Sequence, residues 1–74
     1  MEVTRKSMFT GKMNTMDIPI TQEQLDSMVF TGVKWTVPGI LIQDAFPNLS
    51  MEHREFLMTG TTPVEWDEAF GRDE

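Results

Sequence analysis

Two kinds of side-chain pair stand at spacings that chemistry could use. Ser50 and His53 lie three residues apart, one helical turn, where a hydroxyl and an imidazole can meet as nucleophile and base. Glu65 and Glu68 share that spacing, as do Glu52 and Glu55, and paired carboxylates can do acid–base work or hold a hard cation. Each pair also has a plainer reading. Ser50 is a natural helix N-cap, and His53 then falls on one helix face with Leu49, Phe56 and Leu57. A serine nucleophile further needs a base fixed by a third group. Carboxylates one turn apart on a surface helix are normally solvated, and a chain of 74 residues makes a poor cleft. With one histidine and no cysteine, thiolate zinc sites and multi-histidine sites are excluded. The D-x-[DN]-x-[DN]-G signature of a calcium loop is missing, and the five glycines are scattered at turns rather than spaced to cradle a phosphate. The expectation is therefore a chain without catalytic residues, metal or cofactor.

Aromatic and acidic residues point toward binding instead. Trp66 and Phe70 are at i and i+4 and share a helix face. They are either core residues or a partly exposed anchor ringed by Glu65, Asp67 and Glu68, and Trp is enriched where interfaces concentrate their energy. Trp35 faces the same choice. The net charge of −6 is placed unevenly: residues 1–43 sum to zero, whereas residues 44–74 carry eight acids against Arg54 and Arg72. Such acidity repels phosphate, so nucleic acid is not the expected partner. It serves either solubility or docking on a basic protein surface. The expected partner-binding residues are Glu65, Trp66, Asp67, Glu68 and Phe70, with Trp35 next. A competing surface is the small basic and aromatic patch of Arg5, Lys6, Phe9 and Lys12, which would suit a nucleic-acid-binding regulator. The seven methionines fit adaptable packing surfaces or core filling equally well.

The elements that would position these residues make a small single α+β domain, an N-terminal β-hairpin followed by about three short helices. In residues 1–20, Val3–Phe9 and Met13–Ile18 flank Thr10-Gly11-Lys12, the pattern of a hairpin with a glycine-containing turn, and Pro19 ends the second strand. Residues 21–32 read as a helix: Thr21 and Gln24 form a capping box, Ile20 and Leu25 have staple spacing, Leu25, Met28 and Val29 make an apolar face, and Gly32 is the stop. Residues 33–47 are a strand or turn segment, with Val33, Trp35 and Val37 alternating and Pro38-Gly39 marking a turn. Ile40-Leu41-Ile42 fits a buried strand or the start of a helical turn. Residues 48–60 form a helix capped by Ser50 and ended by Gly60. Residues 61–71 form another, with a Thr62–Glu65 capping box, Pro63 at the first position and Gly71 at the end. Residues 72–74 are a tail. No stretch reaches the ~20 apolar residues of a membrane span, and the N-terminus lacks the apolar core of a secretory signal. The expected location is the cytoplasm, which the absence of cysteine also fits.

The C-terminal half carries a familiar combination: Ile42-Gln43 with Pro47, then Arg54-Glu55-Phe56-Leu57 with Gly60, then Thr62-Pro63 and Glu65-Trp66-Asp67. It resembles small uncharacterised proteins of bacteriophages and related mobile elements that share an IQ-x-x-x-P stretch, an REFL helix and a T-P-x-E-W-D helix. Val33–Pro38 reads as an addition relative to shorter members. The resemblance implies a phage-type origin and a bacterial host cell, and no particular activity. The expected function is a non-enzymatic accessory protein that binds and modulates a host protein through its acidic, aromatic C-terminal surface. The alternatives are the nucleic-acid-binding regulator and a structural or self-assembling virion component, for which homo-oligomers would be expected.

Overall fold

Strand alternation in the first hairpin decides what faces inward. In the computed structural model, which describes residues 1–71, β1 (Glu2–Lys6) and β2 (Met13–Asp17) pair antiparallel with Val3 opposite Met16 and Arg5 opposite Asn14. Val3 and Arg5 point to the core side, while Glu2, Thr4 and Lys6 stay exposed. On the outer face the hydroxyls of Thr4 and Thr15 meet across the pair at 2.9 Å. The strands are shorter than the sequence pattern implies. A six-residue loop joins them, closed by the Ser7 N–H donating to the Lys12 carbonyl at 2.8 Å.

The rest of the chain confirms a mixed α+β architecture and revises its middle. The order continues as α1 (Gln22–Asp26), β3 (Val29–Phe30), β4 (Trp35–Thr36), α2 (Ile42–Ala45), α3 (Met51–Thr59) and α4 (Pro63–Phe70). Thr21 caps α1 with the full capping box to Gln24. The helix expected to reach Gly32 nevertheless stops at Asp26. The Ser27 hydroxyl donates to the Gln24 carbonyl at 2.6 Å, a local bond that competes with helix continuation. Met28 is then buried, and Val29 and Phe30 form a strand opposite Thr36 and Trp35. The turn of this second hairpin is Thr31–Lys34. There the Thr31 N–H and hydroxyl both donate to the Lys34 carbonyl at 3.0 Å, and Gly32 takes the left-handed φ of +93°. Val33, in the segment read as strand or turn, is an exposed turn residue. Pro38-Gly39 makes its own turn, with Val37 bridged to Ile40. Ile42 then opens α2, a single-turn helix beyond the three expected, so four helices stand among the described residues.

Among the described residues eight buried apolar side chains form the core, and α4 supplies none of them. Val3 comes from β1, Ile18 and Ile20 flank Pro19, Met28 follows α1, Phe46 and Leu49 follow α2, and Phe56 and Leu57 lie in α3. Met16, Leu25, Trp35 and Ile42 pack against their margin. Ser50 caps α3 by accepting the His53 backbone N–H at 3.2 Å. Gly60 ends α3 at φ +77° and sits so close to the Lys6 carbonyl that no Cβ would fit. Its own carbonyl accepts from the Asn14 side chain at 2.9 Å. One glycine thus joins the end of α3 to both strands of the first hairpin. No helix among the described residues is long and apolar enough to cross a membrane. The expected tail at 72–74 lies outside the described residues.

Candidate functional site

The start of α4 forms as its sequence dictates. Thr62 accepts the Glu65 backbone N–H at 3.3 Å, the Glu65 carboxylate accepts the Thr62 N–H at 3.3 Å, and Pro63 occupies the first turn, where its missing N–H costs nothing. The same carboxylate turns inward. Its second oxygen accepts the Thr10 hydroxyl at 2.8 Å, and the residue is only 7% exposed. Burial disfavours the charged form, but hydrogen bonding to Asn14, Thr10 and Ser7 and to the Thr62 backbone outweighs it and holds the carboxyl below its ordinary range. Glu65 was expected on a solvated acidic rim with Glu68. It instead fastens α4 to the loop of the first hairpin, because a capping-box carboxylate lies over the helix start and this start is covered by that loop.

On the outer side of α4 the aromatic residues are not core. Trp66 is 39% exposed and Phe70 65%. Their rings stack with centroids 4.7 Å apart and 27° between planes. Phe9, from the hairpin loop and 44% exposed, sets its edge against both, at 5.2 Å from Trp66 and 5.7 Å from Phe70. Asp67 and Glu68 are exposed on the same helix. Beside Trp66 a groove of about 370 Å³ runs between α4 and the start of α3, with Met51, Pro63 and Trp66 as apolar walls and Glu52, Glu55 and Asp67 as acids. Trp66, Asp67, Glu68 and Phe70 therefore come together. Phe9 was read only as part of a basic patch. Its place in the aromatic trio depends on the loop folding back over α4, and the sequence signal available for that was only an aromatic residue in a turn.

No family model, curated protein or solved structure matches the chain.

Trp35 belongs to another neighbourhood. Its ring receives the Arg5 guanidinium at 4.0 Å from the centroid and tilts against Phe30 at 5.5 Å. Arg5, a member of the competing basic patch, is buried in the fold. Its Nε donates to the Leu57 carbonyl near the end of α3 at 3.2 Å, and its Nη2 reaches the Met28 sulfur at 3.7 Å. Burial lowers its pKa from the ordinary arginine value. The last turn of α3 has no basic residue of its own, and the partial negative charge of a helix C-terminus attracts a cation. Arg5 supplies it from across the fold. The basic patch is thereby reduced to Lys6 and Lys12, a poor counter to phosphate.

The Ser50 oxygen is engaged with the His53 backbone, and the His53 Nδ1 is enclosed without a hydrogen-bond partner. Nothing in that arrangement aligns the imidazole with the hydroxyl as a base. Glu65 is committed to the hairpin loop, which separates it in role from Glu68. Among the described residues no group of three or more histidines and carboxylates is placed to hold a metal ion.

Proposed function

We propose that this chain is a non-enzymatic accessory protein of phage type that binds and modulates a bacterial host protein in the host cytoplasm. The observation that carries the reading is the aromatic trio of Phe9, Trp66 and Phe70, held together outside the core by two separate elements. Three large rings left partly in water are unfavourable for an isolated domain, and a partner that covers them gains their desolvation. The acids around them, Asp67 and Glu68 on α4 with Glu52 and Glu55 across the groove, favour a basic partner surface. Their role is to steer encounter, while the rings supply affinity. The resemblance of residues 40–71 to small phage proteins supports the phage-type assignment.

The test is affinity capture from bacterial lysate by the parent chain and by Phe70→Ser in parallel, followed by purified binding to what the parent retains. The reading requires a protein held by the parent and lost, by about tenfold or more in affinity, by the folded variant. Equal binding by both chains would place the interface elsewhere.

A further inference from the structure

A second cleft, of about 550 Å³, lies between the two hairpins and has the opposite electrical character. Met8, Met13, Phe30, Val33, Trp35 and Met58 supply its apolar walls, and its charged lining residues are Arg5 and Lys6. A smaller cleft, of about 190 Å³, shares Trp35 and Met58 with it and runs on to Val37, Ile40 and Leu41, with Lys34 its charged member. The two form one continuous apolar face. Phe30, Val33 and Leu41 are each more than half exposed on it. Among the described residues no carboxylate lines either cleft, in a chain where acids outnumber bases twelve to six. Between Ser27 and Gln43 the single charged residue is Lys34. Among the described residues Arg5 meets a helix carbonyl, a thioether and an indole face, and no carboxylate.

We infer that this face is a second docking surface, and that its occupant is an acidic, apolar segment of a partner protein. Charge complementarity selects it. Carboxylates on such a segment would meet Lys6 and Lys34 at the rim, while its apolar side chains enter the methionine-lined cleft, a lining that adapts readily to what it receives. A second copy using the same face would bring cations against cations. A membrane surface calls for a denser basic cluster than three residues. This inference stands apart from the reading of α4, because the residues involved are different.

The experiment is a nuclear magnetic resonance titration of the labelled full chain with a short Gly/Ser peptide bearing Glu, Leu and Phe, taken to about millimolar concentration so that weak binding is seen. A peptide with Lys in place of Glu is the control. We expect shifts confined to Phe30, Val33, Trp35 and Met58 and their neighbours, with the Lys peptide at least about tenfold weaker. In a Trp66→Phe background Trp35 is the one remaining tryptophan, and its emission should move to the blue with the Glu peptide. Lys34→Glu and Val33→Asp, both at the exposed hairpin turn, should each abolish the response, with circular dichroism confirming that they fold. Any of these results would overturn the inference: no shifts at this face, equal binding of the Lys peptide, binding indifferent to both variants, or a response to anionic phosphatidylglycerol vesicles in place of the peptide. Concentration-dependent sedimentation of the parent that Val33→Asp abolishes would equally overturn it, in favour of a contact between copies.

Discussion

The hydroxyl of Thr10 donates to the carboxylate of Glu65 at 2.8 Å, across 55 residues of sequence. This bond joins the loop of the first hairpin to the first turn of α4, and it brings Phe9 into edge contact with Trp66. The aromatic surface therefore depends on a buried carboxylate that does not itself belong to it.

The first prediction follows from the charge of that carboxylate. Its pKa in the folded chain is lowered below the ordinary glutamate value of 4.5. On acidification the unfolded chain thus takes up the proton first, so the stability that the ionised group contributes is full above that ordinary value and is lost as pH falls through the lower folded value. Thermal midpoints measured from neutral pH to about pH 3 should show a loss in the parent that is smaller in Glu65→Gln. Equal acid sensitivity of the two chains would show that other carboxylates set it.

The second prediction concerns Gly60. A Cβ there would strike the Lys6 carbonyl, and φ is +77°. The strain of the left-handed region costs a non-glycine residue about 1 kcal/mol, and the clash with backbone adds to it. Gly60→Ala should lose at least about 2 kcal/mol in urea unfolding. Gly32→Ala is the matched control, because it shares positive φ but meets nothing within 4 Å. Comparable losses in both would deny the close approach.

The third prediction concerns Arg5. Replacing it by Lys keeps the charge and the strand but not the planar guanidinium that lies on Trp35 and donates to the Leu57 carbonyl. Arg5→Lys should therefore cost about 1–2 kcal/mol. A surface arginine of the kind expected for a nucleic-acid patch would tolerate the change within about 0.5 kcal/mol, so denaturant unfolding separates the two roles.

Local signals were legible in the sequence, and contacts between distant segments were not. The caps at Thr21, Ser50 and Thr62 and the stop at Gly60 depend on residues three or four apart, and each formed where the pattern placed it. The inward turn of Arg5 was hidden because its partner carbonyl on Leu57 is 52 residues away. A polar residue within a strand reads as outward until such a partner is known. Glu65 was half legible: its capping role is local, whereas the bond to Thr10 is not. Leu25, Met28 and Val29 have helical spacing, yet the strand pairing of Val29 with Thr36 prevails after Ser27 ends α1. Exposure of Trp66 and Phe70 could not be read either, since their spacing suits a core stripe and a surface stack alike.

The last prediction tests what the acids around the aromatic trio do. Glu68 is exposed on α4, whereas Glu65 is buried and bonded, so charge reversal belongs at Glu68 and must spare Glu65. Lysine is a good helix former at a solvated position, and Glu68→Lys should leave the thermal midpoint nearly unchanged. Its effect belongs to association. If the acidic surface steers a basic host protein, the variant should bind more slowly at low salt, by roughly threefold to tenfold, and the difference should shrink as salt screens the surface charges. Dissociation should change little, because a rim charge acts on encounter more than on the formed complex. Phe70→Ser should show the reverse, with association nearly kept and dissociation faster, since the ring is part of what the partner covers. Stopped-flow rates for both variants against the captured host protein decide the matter. If Glu68→Lys associates as fast as the parent at both salts, the acids serve solubility alone and the aromatic trio must find its partner without them.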